Sequence, residues 1–161
     1  MKNNRKKQPT DQQSLFDANL SLRRALKLAL LAALYPAFSY ANPEGAQVVS
    51  GQVSIDAATP GVTTITNSPN AIIQWQNFNI GQNELTQFIQ QNGQSAVLNR
   101  IIGQNPSEIL GQLTSNGKVF LINPNGIVFG AGAAIDTQGL IASSLNLSDQ
   151  DFLSGNYHFM A

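Results

Sequence analysis

The sequence predicts an all-β fold, with short strands wound into stacked parallel coils favoured over a sandwich or a barrel. Two observations carry the all-β reading. From Asn42 onward, short runs rich in β-branched and aromatic residues recur, most of them bounded by Gly, Pro, Asn or Ser, which is how strands separated by tight turns read. Helix signals over the same stretch are scarce. That spacing suits a sandwich, a barrel or a β-solenoid. The third observation favours the solenoid: 27 of the 120 residues from Asn42 onward are Asn or Gln. Uncharged amides can stack into ladders where equivalent positions of successive strands lie above one another, whereas charges would repel along the stack. The Ile, Val, Leu and Phe interleaved among the amides argue against disorder.

The chain begins differently. Seven of its nine basic residues (Lys2, Arg5, Lys6, Lys7, Arg23, Arg24, Lys27) lie in the first 27 positions. Arg23, Arg24 and Lys27 precede "LALLAALYPAF" (28–38), an apolar run too short to span a bilayer, which marks an export signal rather than a buried helix of the fold. Ser39 and Ala41 supply small residues at −3 and −1, placing cleavage after Ala41. Export through the Sec translocon is expected, since Ser21-Leu22-Arg23-Arg24 only loosely matches a twin-arginine signal. Residues 1–41 are therefore read as a signal peptide with an extended polar n-region and an apolar helix, and 42–161 as the mature domain. The acids lie mostly beyond it: seven of nine follow position 40, with only Arg100 and Lys118 as bases there. Such a surface repels phosphate backbones, so no nucleic-acid partner is expected. With no cysteine, stability must come from packing and hydrogen bonding rather than disulfides.

In order along the mature part, strands are predicted at "QVVSGQVSI" (47–55), "VTTITN" (62–67), "AIIQWQNFNI" (71–80), "LTQFIQ" (85–90) and "SAVLNRII" (95–102). In "IIQWQNFNI" the alternation of apolar and polar residues is imperfect, so inward and outward faces stay open. "NPSEILGQL" (105–113) breaks the pattern. Pro106 suits a first helical turn, Glu108 complements it and Gly111 follows soon after. A single turn of α- or 3₁₀-helix is expected there, capped by Asn105 or Ser107. A solenoid also has open ends that invite aggregation. Strands near 47–67 are candidate cap material, whereas the C-terminal end shows no cap.

"VFLINPNGIVFG" (119–130) sets Asn123-Pro124-Asn125-Gly126 between two apolar runs. Pro124 fixes φ for the second position of a turn, Asn125 and Gly126 tolerate positive φ, and Asn123 can bond forward to the turn's own amides. Local chemistry asks for nothing beyond a self-satisfied turn, and the nearest ionisable residues are Lys118 and Asp136.

A longer span says more. "VLNRIIGQNPSEILGQLTSNGKVFLINPNGIVFGAGAAIDTQGLIASSL" (97–145) closely resembles the haemagglutination-activity, or two-partner secretion, domain of filamentous-haemagglutinin-like exoproteins. "NPEGAQVVSGQVSI" (42–55) looks like that family's mature N-terminus, and "IIQWQNFNIGQNE" (72–84) like its next landmark. The resemblance implies a right-handed parallel β-helix with an N-terminal cap of extra strands. It also implies a secretion-signal role, in which a TpsB-type outer-membrane transporter with periplasmic POTRA domains recognises the domain and exports it to the cell surface or medium. By motif match, Asn123, Pro124, Asn125, Gly126 and Ile127 are the signature positions for recognition or for folding of the recognised surface. Asn99, Arg100, Asn105 and Pro106 match the preceding landmark. Where some relatives carry an Asn-Pro-Asn-Leu element, this chain has Asn105-Pro106-Ser107-Glu108. The family's domain continues past residue 161, so an N-terminal piece lacking later coils and an effector body is expected, with host-surface ligands falling to that body.

No cofactor and no metal are implied. A polysaccharide-acting β-helix enzyme is the rival from another class, and direct adhesion to a host surface the second. Enzymes on this scaffold need clustered acids; Asp149-Gln150-Asp151 is the one close pair, and the sole histidine, His158, has no evident acid or nucleophile beside it. Trp75 is expected in the core rather than on a sugar-stacking platform.

Overall fold

A computed structural model describes residues 41–161. Two short strands come first, β1 (Gln47–Ser50) and β2 (Val53–Asp56), separated at Gly51, whose φ of 84° lies in the left-handed region. The expected single run 47–55 is thus broken where glycine permits a turn. Four coils follow. The first holds β3 (Val62–Asn67) and β4 (Ala71–Trp75). The second holds β5 (Leu85–Ile89), β6 (Ala96–Ile101) and β7 (Ser107–Ile109). The third holds β8 (Gln112–Ser115), β9 (Lys118–Ile122) and β10 (Ile127–Phe129), and the fourth β11 (Ala134–Asp136) and β12 (Gly139–Ser143).

Successive coils pair in parallel. β4, β6, β9 and β12 form one face, β3, β5, β8 and β11 a second, and β7 with β10 a third, which the first coil joins through an Ile80–Ile109 bridge. β1 pairs antiparallel with β4, and β2 antiparallel with β3, so both first-coil edges are covered. The cap is therefore narrower than the 47–67 expected: Val62–Asn67 already belongs to the first coil.

Inward positions fill the solenoid. Ile65, Ile73, Trp75, Phe78, Phe88, Val97, Leu113, Val119 and Leu121 form one buried cluster. Phe78 meets Trp75 edge-to-face at 5.6 Å between centroids and stacks on Phe88 at 6.5 Å. Trp75 is thus core, as the sequence suggests.

A second cluster lies outside the coils. Ile72, Leu98, Phe120 and Ile122 point outward from β4, β6 and β9, and Leu147 and Phe152 cover them. The covering segment runs through β13 (Asn146–Leu147), α1 (Asp149–Ser154) and β14 (Phe159–Met160), which pairs antiparallel with β13. Ser148 caps α1, its Oγ accepting from the Asp151 amide at 3.1 Å, and Gly155 ends it at φ 73°. This strap explains why "AIIQW" lacks clean alternation: Ile72 and Ile73 face opposite ways and are both fully buried. On the second face, which the segment 146–160 does not cover, β3 alternates regularly between buried and more exposed positions. The strap covers a side of the solenoid rather than its end.

The expected helical turn in 105–113 is not formed. Residues 107–109 are β7 and 112–115 are β8. A lone helical turn fixes several dihedrals for one hydrogen bond, whereas here each exposed amide finds a partner on a neighbouring coil. Ser107 N donates to Gly126 O at 3.0 Å and Glu108 N to Asn79 Oδ1 at 2.9 Å.

Candidate recognition site at the 123–126 turn

Asn123-Pro124-Asn125-Gly126 closes a tight turn between β9 and β10, with Gly126 N donating to Asn123 O at 2.9 Å. Among these four residues only Gly126 takes a positive φ, at 101°, so the turn has Pro in second place and glycine in the fourth. Asn123 is fully buried while Pro124 and Asn125 are exposed. Its side chain spends every bond it can make. Nδ2 donates to Asn105 O and to Ser107 Oγ, each at 3.0 Å, and Oδ1 accepts from Asn125 N at 2.9 Å and Asn125 Nδ2 at 3.2 Å. Asn125 Nδ2 also reaches Gly103 O at 2.9 Å. The turn is thus riveted to the corner one coil earlier.

That corner holds Asn105 and Pro106, both exposed. Asn105 Nδ2 lies 3.4 Å from Asn77 Oδ1 in the first coil, which makes a line of amides across three coils: Asn77, Asn105, Asn123. A second line runs along the corner between the other two faces. Asn67 Nδ2 contacts Gln90 Oε1 at 3.5 Å, and Asn116 brackets the Gln90 backbone, accepting its N–H at 2.7 Å and donating to its carbonyl at 2.8 Å. The expected amide ladders therefore exist, but at corners rather than in strands, and largely from side chain to backbone. Corner backbone lacks regular ladder partners, and a two-headed amide supplies both a donor and an acceptor.

Ile127 is half-buried, packs against the core cluster and pairs with Ser107. The turn 123–127 and Asn105-Pro106 thus form one surface. Asn99 and Arg100 do not join it. Asn99 points into the solenoid, accepting from Trp75 Nε1 at 3.0 Å and donating to Phe120 O at 3.2 Å. Arg100 points outward to the strap. It donates from Nη2 to Leu147 O and lies 2.8 Å from Asp149 Oδ1, off the hydrogen-bond direction, so that contact is an ion pair. Ala41, the expected cleavage position, is the first described residue, and its N–H donates to Glu84 Oε1 at 2.8 Å.

Sequence reasoning missed Ser107 as a partner of the turn, and Asn77 and Asn79 as partners of Asn105 and Glu108 one coil earlier. Their spacing hid them: Asn77 to Asn105 spans 28 residues and Asn105 to Asn123 only 18, so no fixed repeat appears. The acids noted as a rival site have other work. Asp149 pairs with Arg100, and Asp151 bonds Ser148 Oγ at 2.6 Å and Asn156 Nδ2 at 3.1 Å. No group of three potential metal ligands occurs among the described residues.

Comparison with known proteins agrees with this geometry. The family model described as the TPS secretion domain matches residues 39–160. A heme/hemopexin-binding protein of Haemophilus influenzae strain Rd is 38% identical over 117 residues, 70% of this chain, and a second H. influenzae heme/hemopexin-binding protein 41% identical over 118 residues, 73% of this chain. The matched region is 13% of each of those proteins, so this chain spans only a small part of their length. The crystal structure of the HMW1 secretion domain from H. influenzae superposes with a TM-score of 0.71 and 45% identity, over 73% of this chain and 32% of that one. A four-coil solenoid with an asparagine-riveted turn, matched across nearly all its described length in both sequence and structure, places this chain in the family of TPS secretion domains.

Proposed function

We propose that residues 42–161 form the transport signal of a longer exoprotein and that 1–41 is a leader, removed after Ala41 during Sec export. In this reading a TpsB-type outer-membrane transporter receives the domain through its periplasmic POTRA domains and passes it to the cell surface or medium. The match of the secretion-domain model to residues 39–160 carries the proposal. Burial adds a physical reason for recognition before folding. The segments 72–80 and 119–129, natural candidates for adding a strand to an exposed POTRA sheet edge, include β4 and β9. In the folded domain both strands have parallel or antiparallel partners on either side and apolar cover on both faces, so their backbones are available only while the chain is unfolded. Folding outside then opposes return, since each coil buries apolar area at roughly 25 cal/mol per Å². Pro124 and Asn125 stay exposed at the corner in either state. Ligand binding of the kind named for the relatives is assigned to a downstream body, not to this domain.

The test is co-expression of the chain, fused to a reporter, with and without a TpsB transporter. Release into the medium only in the transporter's presence is expected; equal release without it would reject the proposal.

A further inference from the structure

Glu84 is a carboxylate where a solenoid has little use for one. It is only 6% exposed, and its two oxygens each accept one backbone N–H: Oε2 from Gly81 at 2.6 Å, Oε1 from Ala41 at 2.8 Å. The group is tightly held. A Cβ on Gly81 would lie 2.9 Å from the Glu84 carboxyl carbon, so the carboxyl packs directly against the glycine backbone. The one ion pair among the described residues joins Arg100 to Asp149, so no described residue gives Glu84 a cation. Burying an ionised carboxylate with no countercharge is expensive.

The donor on Oε1 sits at the proposed processing position, 43 residues away in sequence. Nearby, the Asn42 side-chain oxygen is buried without a hydrogen-bond partner. Glu44 is pinned to the first coil, its N–H donating to Asn77 O at 2.9 Å and its carbonyl accepting from Gln76 N at 3.0 Å. Whatever begins the mature chain is therefore kept beside Glu84.

We infer that Glu84 is the receptor for the amino terminus that processing creates. This rests on cleavage after Ala41. Hydrolysis of the Ala41–Asn42 peptide bond adds one water: Ala41 departs with the new carboxylate, and the Asn42 nitrogen becomes an amine that takes up a proton near neutrality. The Ala41 N–H is lost from Oε1. The Asn42 ammonium lies at most about 3.6 Å further along the chain, bears several donors, and replaces a neutral amide with a full charge. Before cleavage Glu84 thus has only neutral amide donors among the described residues, and after it the mature domain holds a buried ion pair. Leader removal tightens the first coil.

The experiment uses the chain processed in cells. Intact mass gives its first residue: a start other than Asn42 overturns both the processing site and this inference. With Asn42 first, the α-amine is acetylated at pH 6.5, where Lys118 stays protonated, and urea unfolding is compared with the free form, in the wild type and in Glu84→Gln. The expected result is a loss of at least about tenfold in the folding equilibrium on acetylating the wild type, and no further loss in Glu84→Gln. Equal midpoints for blocked and free wild type, or additive losses, overturn the inference while leaving the processing site intact. If Glu84→Gln does not fold, the pH dependence of the wild-type acetylation rate decides. A midpoint raised above the ordinary α-amine range of about 7.7–8.0 supports the pair, and one within that range refutes it.

Discussion

Asn123 donates from Nδ2 to the carbonyl of Asn105 at 3.0 Å, 18 residues and one coil earlier. With its second donation to buried Ser107 Oγ and the Asn125 amide resting on its Oδ1, the bond makes this side chain the joint between two corners. Its neighbour Asn125 is exposed, so the turn separates a structural asparagine from a displayed one.

Asn123→Ala is therefore expected to cost about 2–4 kcal/mol, because it strands partners at a buried position. Asn125→Ala should cost less than about 1 kcal/mol, since water can replace its bonds. Urea unfolding measures both. A secretion assay then sorts the roles: an Asn125→Ala variant that folds normally but is not released would mark the exposed side chain as part of what the transporter reads. Equal stability losses for the two substitutions would contradict the burial difference.

Arg100 makes two contacts of unequal worth. Asp149 is 41% exposed at its side chain, and ion pairs with an exposed partner contribute about 0–1 kcal/mol. Leu147 is fully buried, and its carbonyl takes a charged donor. Asp149→Asn should thus shift the midpoint little, while Arg100→Met should cost about 1–3 kcal/mol. A larger effect from Asp149→Asn than from Arg100→Met would reverse this assignment.

The strands and the turn were legible because their chemistry is local. Val62–Asn67 alternates, Gly and Pro punctuate, and Asn-Pro-Asn-Gly can scarcely do anything but turn. What could not be read is what depends on stacking. Ser107 reads as a helix cap, yet it is a buried acceptor, because its partner Asn123 comes from the next coil. "IIQW" reads as irregular because its outer face is covered by Phe152, some 80 residues on. Coils of unequal length, with corner amides 23 and 26 residues apart in one line and 28 and 18 in the other, deny the sequence a period. Amide richness pointed to the right architecture, but its place at the corners follows only from three dimensions.

Thr86 offers a gain in stability. Its side chain faces the interior, fully buried, in register with Thr63 below and Leu113 above, and both threonine hydroxyls lack a hydrogen-bond partner. Leucine at the same place in the next coil means that the site accepts an apolar side chain. Thr86→Val keeps the shape and removes an unsatisfied hydroxyl, so an increase of about 1 kcal/mol is expected in urea unfolding. An unchanged or lowered midpoint would mean that the hydroxyl has a partner after all.

Phe152 decides whether strap and solenoid unfold together. It is buried against Phe120 at 5.2 Å between centroids, with Tyr157 also 4.7 Å from Phe120. Beyond these rings, Leu147, the half-buried Phe159 and the Arg100 contacts, few described contacts fix the strap, whereas β6 and β9 are hydrogen-bonded on both edges. Removing a buried phenylalanine costs about 3–5 kcal/mol, enough to open a segment with so few anchors while the coils persist. In Phe152→Ala, amide exchange at Leu147 and Phe159 should approach that of an open chain, while Val97 and Val119 keep their protection. Trp75, inside the coils, should keep its buried emission. The uncovered strip of Ile72, Leu98 and Phe120 would also make the variant prone to association. Uniform loss of protection across strap and coils would mean instead that the strap is an integral part of one cooperative unit.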